Sequence, residues 1–282
     1  FNYVYAAKTY FSSFQTPCIS SPCHNGGTCV ANYKYHTFYC RCKEGFIGEF
    51  CEAIPNSCSI VYDQLPEKLK ETRLVTLLLD SNLTTVLCHM GDFGCGDGGW
   101  TPVMKMDGSQ GTFYYDSSLW RNKETFNLDG GKTGFDSQET KLPSYWNTSF
   151  SKICLGMRIN NQSRFIVIKR TATSLHSLIA DGKYRNTSLG RDTWKSLIGS
   201  EASLQQNCNL EGFNARRPND YSKARIGILG NEQDDCDTCD SRIGLGTGGS
   251  PAHNSNTCGN EAVSSGDNGH KHIQAMGYIL VQ

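Results

Sequence analysis

The sequence predicts a small disulfide-rich β module followed by a larger, irregular α+β domain with long loops. The cysteines carry the first part of that expectation. Fourteen occur in 282 residues, six of them between Cys18 and Cys51 and eight spread from Cys58 to Cys258. A tightly stapled module therefore precedes a domain long enough to bury its own core. Strand-like runs carry the second part: Arg73 to Asp80, Leu83 to His89, Arg164 to Lys169, Ala224 to Leu229 and Met276 to Val281 are short, Leu-rich or β-branched, and show no β-α-β alternation. Charge and hydropathy exclude other classes. Lys plus Arg and Asp plus Glu are 27 each, so no general attraction to nucleic acid or anionic lipid is expected. No apolar run is long enough for a transmembrane helix; Leu74 to Leu79 is bounded by Arg73 and Asp80.

The segment 1–13 begins with Phe and lacks a signal-peptide pattern, which is expected of a mature chain or a fragment. The module at 14–52 has the spacing C-x4-C-x5-C-x10-C-x-C-x8-C, with Gly26-Gly27 before the third cysteine and Gly45-Phe46-x-Gly48 before the last. So short a segment cannot bury enough apolar surface to offset its ordering entropy, so the sulfurs must serve as its core. Spacing alone leaves every connectivity of the six open.

This pattern resembles an EGF-like domain. The resemblance implies the pairs Cys18–Cys29, Cys23–Cys40 and Cys42–Cys51. It also brings two short sugar-addition patterns, one for O-glucose at Ser20 and one for O-fucose at Thr28, although both residues suit plain turns. Ser13 to Pro17 lacks the acidic residues of calcium-binding members, so no calcium is expected in this module. A plain spacer is the alternative to a receptor ligand.

Residues 53–57, with Pro55 and Asn56, read as a linker into the domain 58–282. Arg73 to Asp80 and Leu83 to His89 suit a hairpin turning at Ser81-Asn82; Cys58 precedes it and Cys88 lies in its second strand, so a Cys58–Cys88 bond would pin the domain entrance. Asp181-Gly182, Gly212 and Gly244 to Gly249 are expected to be turns.

The order Cys58, Cys88-His89-Met90, Gly98-Gly99-Trp100-Thr101 and Asp107-Gly108-Ser109 resembles the start of fibrinogen-like domains and of the related intelectins, with Glu139 to Trp146 a looser match. The double tryptophan of that family's C-terminal calcium loop is absent. Over a longer span the chain resembles a skeletal organic matrix protein type of stony corals, in which an EGF-like module precedes a fibrinogen-like domain. Trp120 to Phe126, Glu139 to Trp146, Gly190 to Leu197, Asp234 to Ile243 and Ala275 to Gln282 carry that likeness. It implies a secreted matrix component of a calcified tissue, with matrix proteins or glycans as partners.

Four sequons, at Asn82, Asn147, Asn161 and Asn186, support passage through the secretory pathway. Glu232, Asp234, Asp235, Asp237 and Asp240 crowd around Cys236 and Cys239 and offer hard oxygen ligands for calcium, against the alternative of a solvated acidic loop balanced by Arg242. An EF-hand is excluded because Asp240 stands where the loop's glycine is needed. The intelectin resemblance implies a calcium-held sugar site near His253, Asn254, Asn256, Asn260 and Glu261, a composition that loop-forming residues would also produce.

Cys236-x-x-Cys239 is expected to be a disulfide element and neither a redox pair nor half of a zinc site, because flanking aspartates oppose a thiolate and no second pair exists. The even cysteine count predicts full pairing, with Cys95, Cys154, Cys208, Cys236, Cys239 and Cys258 left unassigned. Gly244-x-Gly246-x-x-Gly249 has no helix to open and reads as a flexible loop. No Gly-x-Ser-x-Gly or His-Glu-x-x-His is present, and His270 and His272 alternate as exposed residues do, so no enzyme is expected. The alternative to a matrix protein is a soluble calcium-dependent lectin of the intelectin or ficolin type.

Overall fold

A computed structural model describes residues 16–43, 45–66, 70–217, 221–250, 252–263 and 265–282. The segment 1–13 and the approach Ser13 to Gln15 to the first module lie outside the described residues. The module is a hairpin of β1 (Thr28–Asn32) and β2 (Thr37–Arg41), with Cys29 directly opposite Cys40. Ala53 then bridges to Ile47, and the Pro55 carbonyl accepts from Leu78 N, so residues 53–57 touch both neighbours.

Cys58 opens a helix, where the sequence suggested only a residue preceding the hairpin. In α1 (Cys58–Gln64) the Ser57 hydroxyl caps the N-terminus by accepting from Ile60 N. Next come β3 (Arg73–Leu79) and β4 (Asn82–Met90), joined through Asp80 and Ser81 at positive φ, one residue earlier than the expected turn. β5 (Gly99–Asp107), β6 (Thr140–Lys141), α2 (Ser144–Asn147), β7 (Phe150–Ile159), β8 (Gln162–Ala172), α3 (Leu175–Ile179), β9 (Arg185–Asn186) and α4 (Arg191–Ser196) follow. The chain closes with β10 (Asn207–Ala215), β11 (Lys223–Asn231), β12 (Ser241–Gly248), β13 (Cys258–Ala262), β14 (Lys271–Gln274) and β15 (Met276–Val281).

One sheet has the order β3-β4-β5-β15-β7-β8, with β6 paired to β5, and the other β14-β13-β12-β11-β10-β9; all pairings are antiparallel. The last strand, β15, thus sits in the middle of the first sheet. Side chains from both sheets meet in one core that includes Met104, Ile153, Leu155 and Ile279 from the first and Phe213, Ile226, Ile228, Ile243 and Leu245 from the second. Trp120 and Trp194 fill its flank, fully buried, and the Trp120 indole N–H is satisfied by the carbonyls of Phe113 and Tyr114.

The second domain is mainly β, which corrects the α+β expectation: its helices are short insertions on a β framework. Gly212 lies inside β10, and Gly244 to Gly248 lie inside β12, so these glycines are not the expected turns or flexible loop. Gly212, Gly227, Gly244 and Gly259 stand opposite one another across four strands. The reason is close backbone approach: a Cβ on Gly227 would lie 2.4 Å from the Ile243 carbonyl oxygen, and one on Gly244 2.6 Å from that of Ile226.

Candidate functional site

The loop between β11 and β12 holds the acidic and sulfur-bearing residues, and a scaffold of amides sets its shape. Asn231, buried at the end of β11, donates from Nδ2 to the Asp235 carbonyl and carboxylate at 3.2 Å and accepts at Oδ1 from Glu232 N. Gln205, equally buried, donates from Nε2 to the Glu232 carboxylate and accepts at Oε1 from Asp240 N. Asp235 Oδ1 also accepts from Asp237 N at 2.9 Å. These bonds tie the Glu232 carboxylate to Gln205 and the Asp235 carboxylate to Asn231 and to the loop's own backbone.

Among the described residues, the five carboxylates of Glu232, Asp234, Asp235, Asp237 and Asp240 are not gathered around one point; the only close group of three or more potential metal ligands is Cys208, Cys236 and Cys239. Asp240, half-buried, has its carboxyl pushed above the usual range by burial and then by the Glu232 charge. The other four side chains are exposed.

Cys208 on β10 and Cys236 in the loop form a disulfide, and Cys95–Cys154 ties the approach to β5 to β7. Cys239 and Cys258 are free and buried, which corrects the expectation of full pairing and of a disulfide at Cys239. Cys258 sits in the core between the sheets, whereas Cys239 packs against Leu210 and Leu229, so the two thiols belong to separate apolar clusters. Burial, followed by the charges of Asp235 and Asp240, pushes the Cys239 thiol up to about 12. Its Sγ stands 3.5 Å from Cys208 Sγ. With Cys208 and Cys236 joined, only Cys239 has a thiol to offer, so this trio is no metal site in the oxidised chain.

The intelectin-like stretch divides. His253 and Asn254 are exposed, but Asn260 and Glu261 are buried within β13, contrary to a sugar-facing role for that pair. Asn260 Nδ2 donates to the carbonyls of Ser203 and Arg242, and its Oδ1 accepts from Ser203 N. Glu261 Oε2 accepts from Asn256 Nδ2 and lies 2.8 Å from His272 Nδ1. Both side chains hold strands together. His270 and His272 are both exposed, as expected, and His272 also reaches the Glu261 carboxylate.

The sequon asparagines are all on the surface: Asn82 opens β4, Asn147 ends α2, Asn161 shares the positive-φ turn between β7 and β8 with Asn160, and Asn186 lies on β9. Asn161 also lines an open polar cleft of about 240 Å³ with Asp107, Ser137, Arg158, Asn160 and Met276. Its lining comes from segments far apart in the chain, which no local motif joins.

In the first module the disulfides are Cys18–Cys29, Cys23–Cys40 and Cys42–Cys51, and a fourth, Cys58–Cys88, joins α1 to β4. Ser20 and Thr28 are both exposed.

Residues 18–50 match the model of the EGF-like domain family. Among curated proteins, the chain is similar to EGF-like repeat and discoidin I-like domain-containing protein 3 of Mus musculus, 47% identical over 47 residues, which is 15% of this chain and 10% of that protein. It is similar to the basement membrane-specific heparan sulfate proteoglycan core protein of Mus musculus, 42% identical over 45 residues, covering 16% of this chain and 1% of that protein. Protein crumbs homolog 2 of Mus musculus is 51% identical over 43 residues, covering 15% of this chain and 3% of its own length. The chain thus spans between 1% and 10% of the length of these relatives. The likeness is that of one module.

Proposed function

We propose that the chain is a secreted extracellular matrix glycoprotein, a component of the organic matrix of a calcified skeleton, that works through adhesive contacts with matrix proteins and glycans. The observation that carries this reading is the union of an EGF-like module with a disulfide-stapled β domain whose four sequon asparagines are all exposed. The likeness of Trp120 to Phe126, Gly190 to Leu197 and Asp234 to Ile243 to coral skeletal matrix proteins supplies the calcified setting. Balanced charge suits a component that organises matrix over one that nucleates mineral through bulk negative charge. The role is non-enzymatic on this reading.

Calcium enters as a loosely held ion of the 232–240 loop, which would have to draw its carboxylates together to bind it. The calcium-dependent lectin alternative keeps His253 and Asn254 on the surface and would need other side chains to choose a sugar.

A glycan array probed in calcium and in chelator separates the two. Sugar binding that disappears in chelator supports the lectin, and no sugar binding in either condition supports the matrix reading.

A further inference from the structure

We propose that the Cys208–Cys236 disulfide is exchangeable, with Cys239 as its resident attacking thiol, so that one disulfide alternates between two pairings beneath the acidic loop. The thiol already touches the disulfide from the side, and turning the Cys239 side chain about its Cα–Cβ bond would bring its Sγ in line with the Cys208–Cys236 bond. Cys239 Sγ lies 3.5 Å from Cys208 Sγ, a van der Waals contact between sulfurs, and the three sulfurs all lie within 4.8 Å of one another.

The step balances within the chain. Cys239 loses its proton to water and its thiolate attacks Cys208 Sγ. The Cys208–Cys236 bond breaks as the Cys208–Cys239 bond forms, and Cys236 leaves as a thiolate that takes up a proton. One disulfide and one thiol remain, so no oxidant or reductant is consumed.

The two pairings present the loop differently. In the observed one, Cys236 anchors the middle of the 232–240 loop to β10. In the other, the anchor moves to Cys239 beside β12, and the stretch carrying Glu232, Asp234, Asp235 and Asp237 loses its covalent tie.

The surroundings set the rate. The charged groups acting on Cys239 are Asp235 and Asp240, which oppose the thiolate together with burial, and Arg217, which favours it. Burial of Cys239 is the main obstacle to forming its thiolate, and a higher pH favours exchange by raising the thiolate fraction.

The test is disulfide mapping of the intact, oxidised protein held at pH 7 and at pH 9 at low concentration, quenched in acid, unfolded and alkylated with maleimide. The expected result is a growing fraction with Cys208 joined to Cys239 and the label on Cys236, appearing roughly tenfold or more faster at pH 9 than at pH 7. A label that stays on Cys239 at both pH values, with Cys208–Cys236 as the sole pairing, overturns the proposal. The variant Cys236→Ser, exposed to glutathione disulfide as the oxidant, gives a second reading: a Cys208–Cys239 disulfide supports it, and two alkylated thiols at those positions overturn it. The wild-type mapping decides even where that variant does not fold.

Discussion

Glu211 shows how one carboxylate can organise a stretch of loop. It accepts from the Thr187 hydroxyl at 2.6 Å, from the Leu189 and Gly190 amides at 3.0 Å each, and from the Trp194 indole at 2.8 Å. Burial would raise its carboxyl, but these donors outweigh burial and hold it below the usual range. Glu211→Ala should cost roughly 3 kcal/mol, since several charge-assisted bonds vanish and the Trp194 N–H is left without its partner. Urea denaturation checks this, and a loss under about 1 kcal/mol would show the bonds to be dispensable. His89 offers a pH test. Burial, aided by the nearby Lys105 charge, lowers it from 6.5 to about 4 while its ring stacks on Phe135 at 4.3 Å. The unfolded chain then binds the extra proton between those values, so the stability is full above pH 6.5 and falls as pH drops toward 4, by roughly 3 kcal/mol. His89→Phe should flatten that slope; an unchanged slope would assign it to other groups. Residue roles were unevenly legible. The surface positions of the sequon asparagines could be read directly, whereas Asn260 and Glu261 look like ligands in sequence and are buried fasteners once β12 and β13 pair.

Elements were most legible where the backbone pattern was local. The β3–β4 hairpin and β15 follow from apolar runs flanked by turn residues or by the chain end. β12 did not, because its glycines carry a turn signal in sequence and a packing role in the sheet: the constraint on Gly244 comes from Ile226, a strand away. Two substitutions separate those roles. Gly244→Ala should destabilise by about 3 kcal/mol, since its Cβ would meet backbone that cannot step aside. Gly182→Ala, at φ +70° with open space around it, should cost only about 1 kcal/mol of conformational strain. Thermal melts of both proteins decide; equal losses would mean that the sheet tolerates a Cβ in its glycine row. The missed helix α1 has a readable cap, Ser57, but its Ile60-Val61-Tyr62 run also suits a strand, and burial of Tyr62 beside Cys58 settles the choice.

The whole molecule is stapled along its length. The loop closed by Cys95–Cys154 spans 59 residues and that closed by Cys42–Cys51 only 9, so chain entropy predicts that Cys95→Ser with Cys154→Ser costs about 4 kcal/mol. Guanidinium unfolding of that double variant tests it, and a loss below about 1 kcal/mol would mean that the β framework already constrains the chain. The division into a stapled module and a larger domain was legible because cysteine spacing is local. The pairing of the later cysteines was not, because the irregular stretch of β10 at Cys208 lies against the loop after β11 and brings Cys208 beside both Cys236 and Cys239, two candidates that sequence spacing cannot rank. Calcium binding is tested at this scale too: a melting temperature that rises with calcium and returns with chelator would support a calcium site in this chain, and an unmoved one would speak against it. The most direct test of the matrix role is immunolocalisation in demineralised skeleton with antibodies against residues 58–282. Signal retained in the insoluble organic fraction is the predicted result, and a protein confined to fluid and absent from that fraction would contradict it.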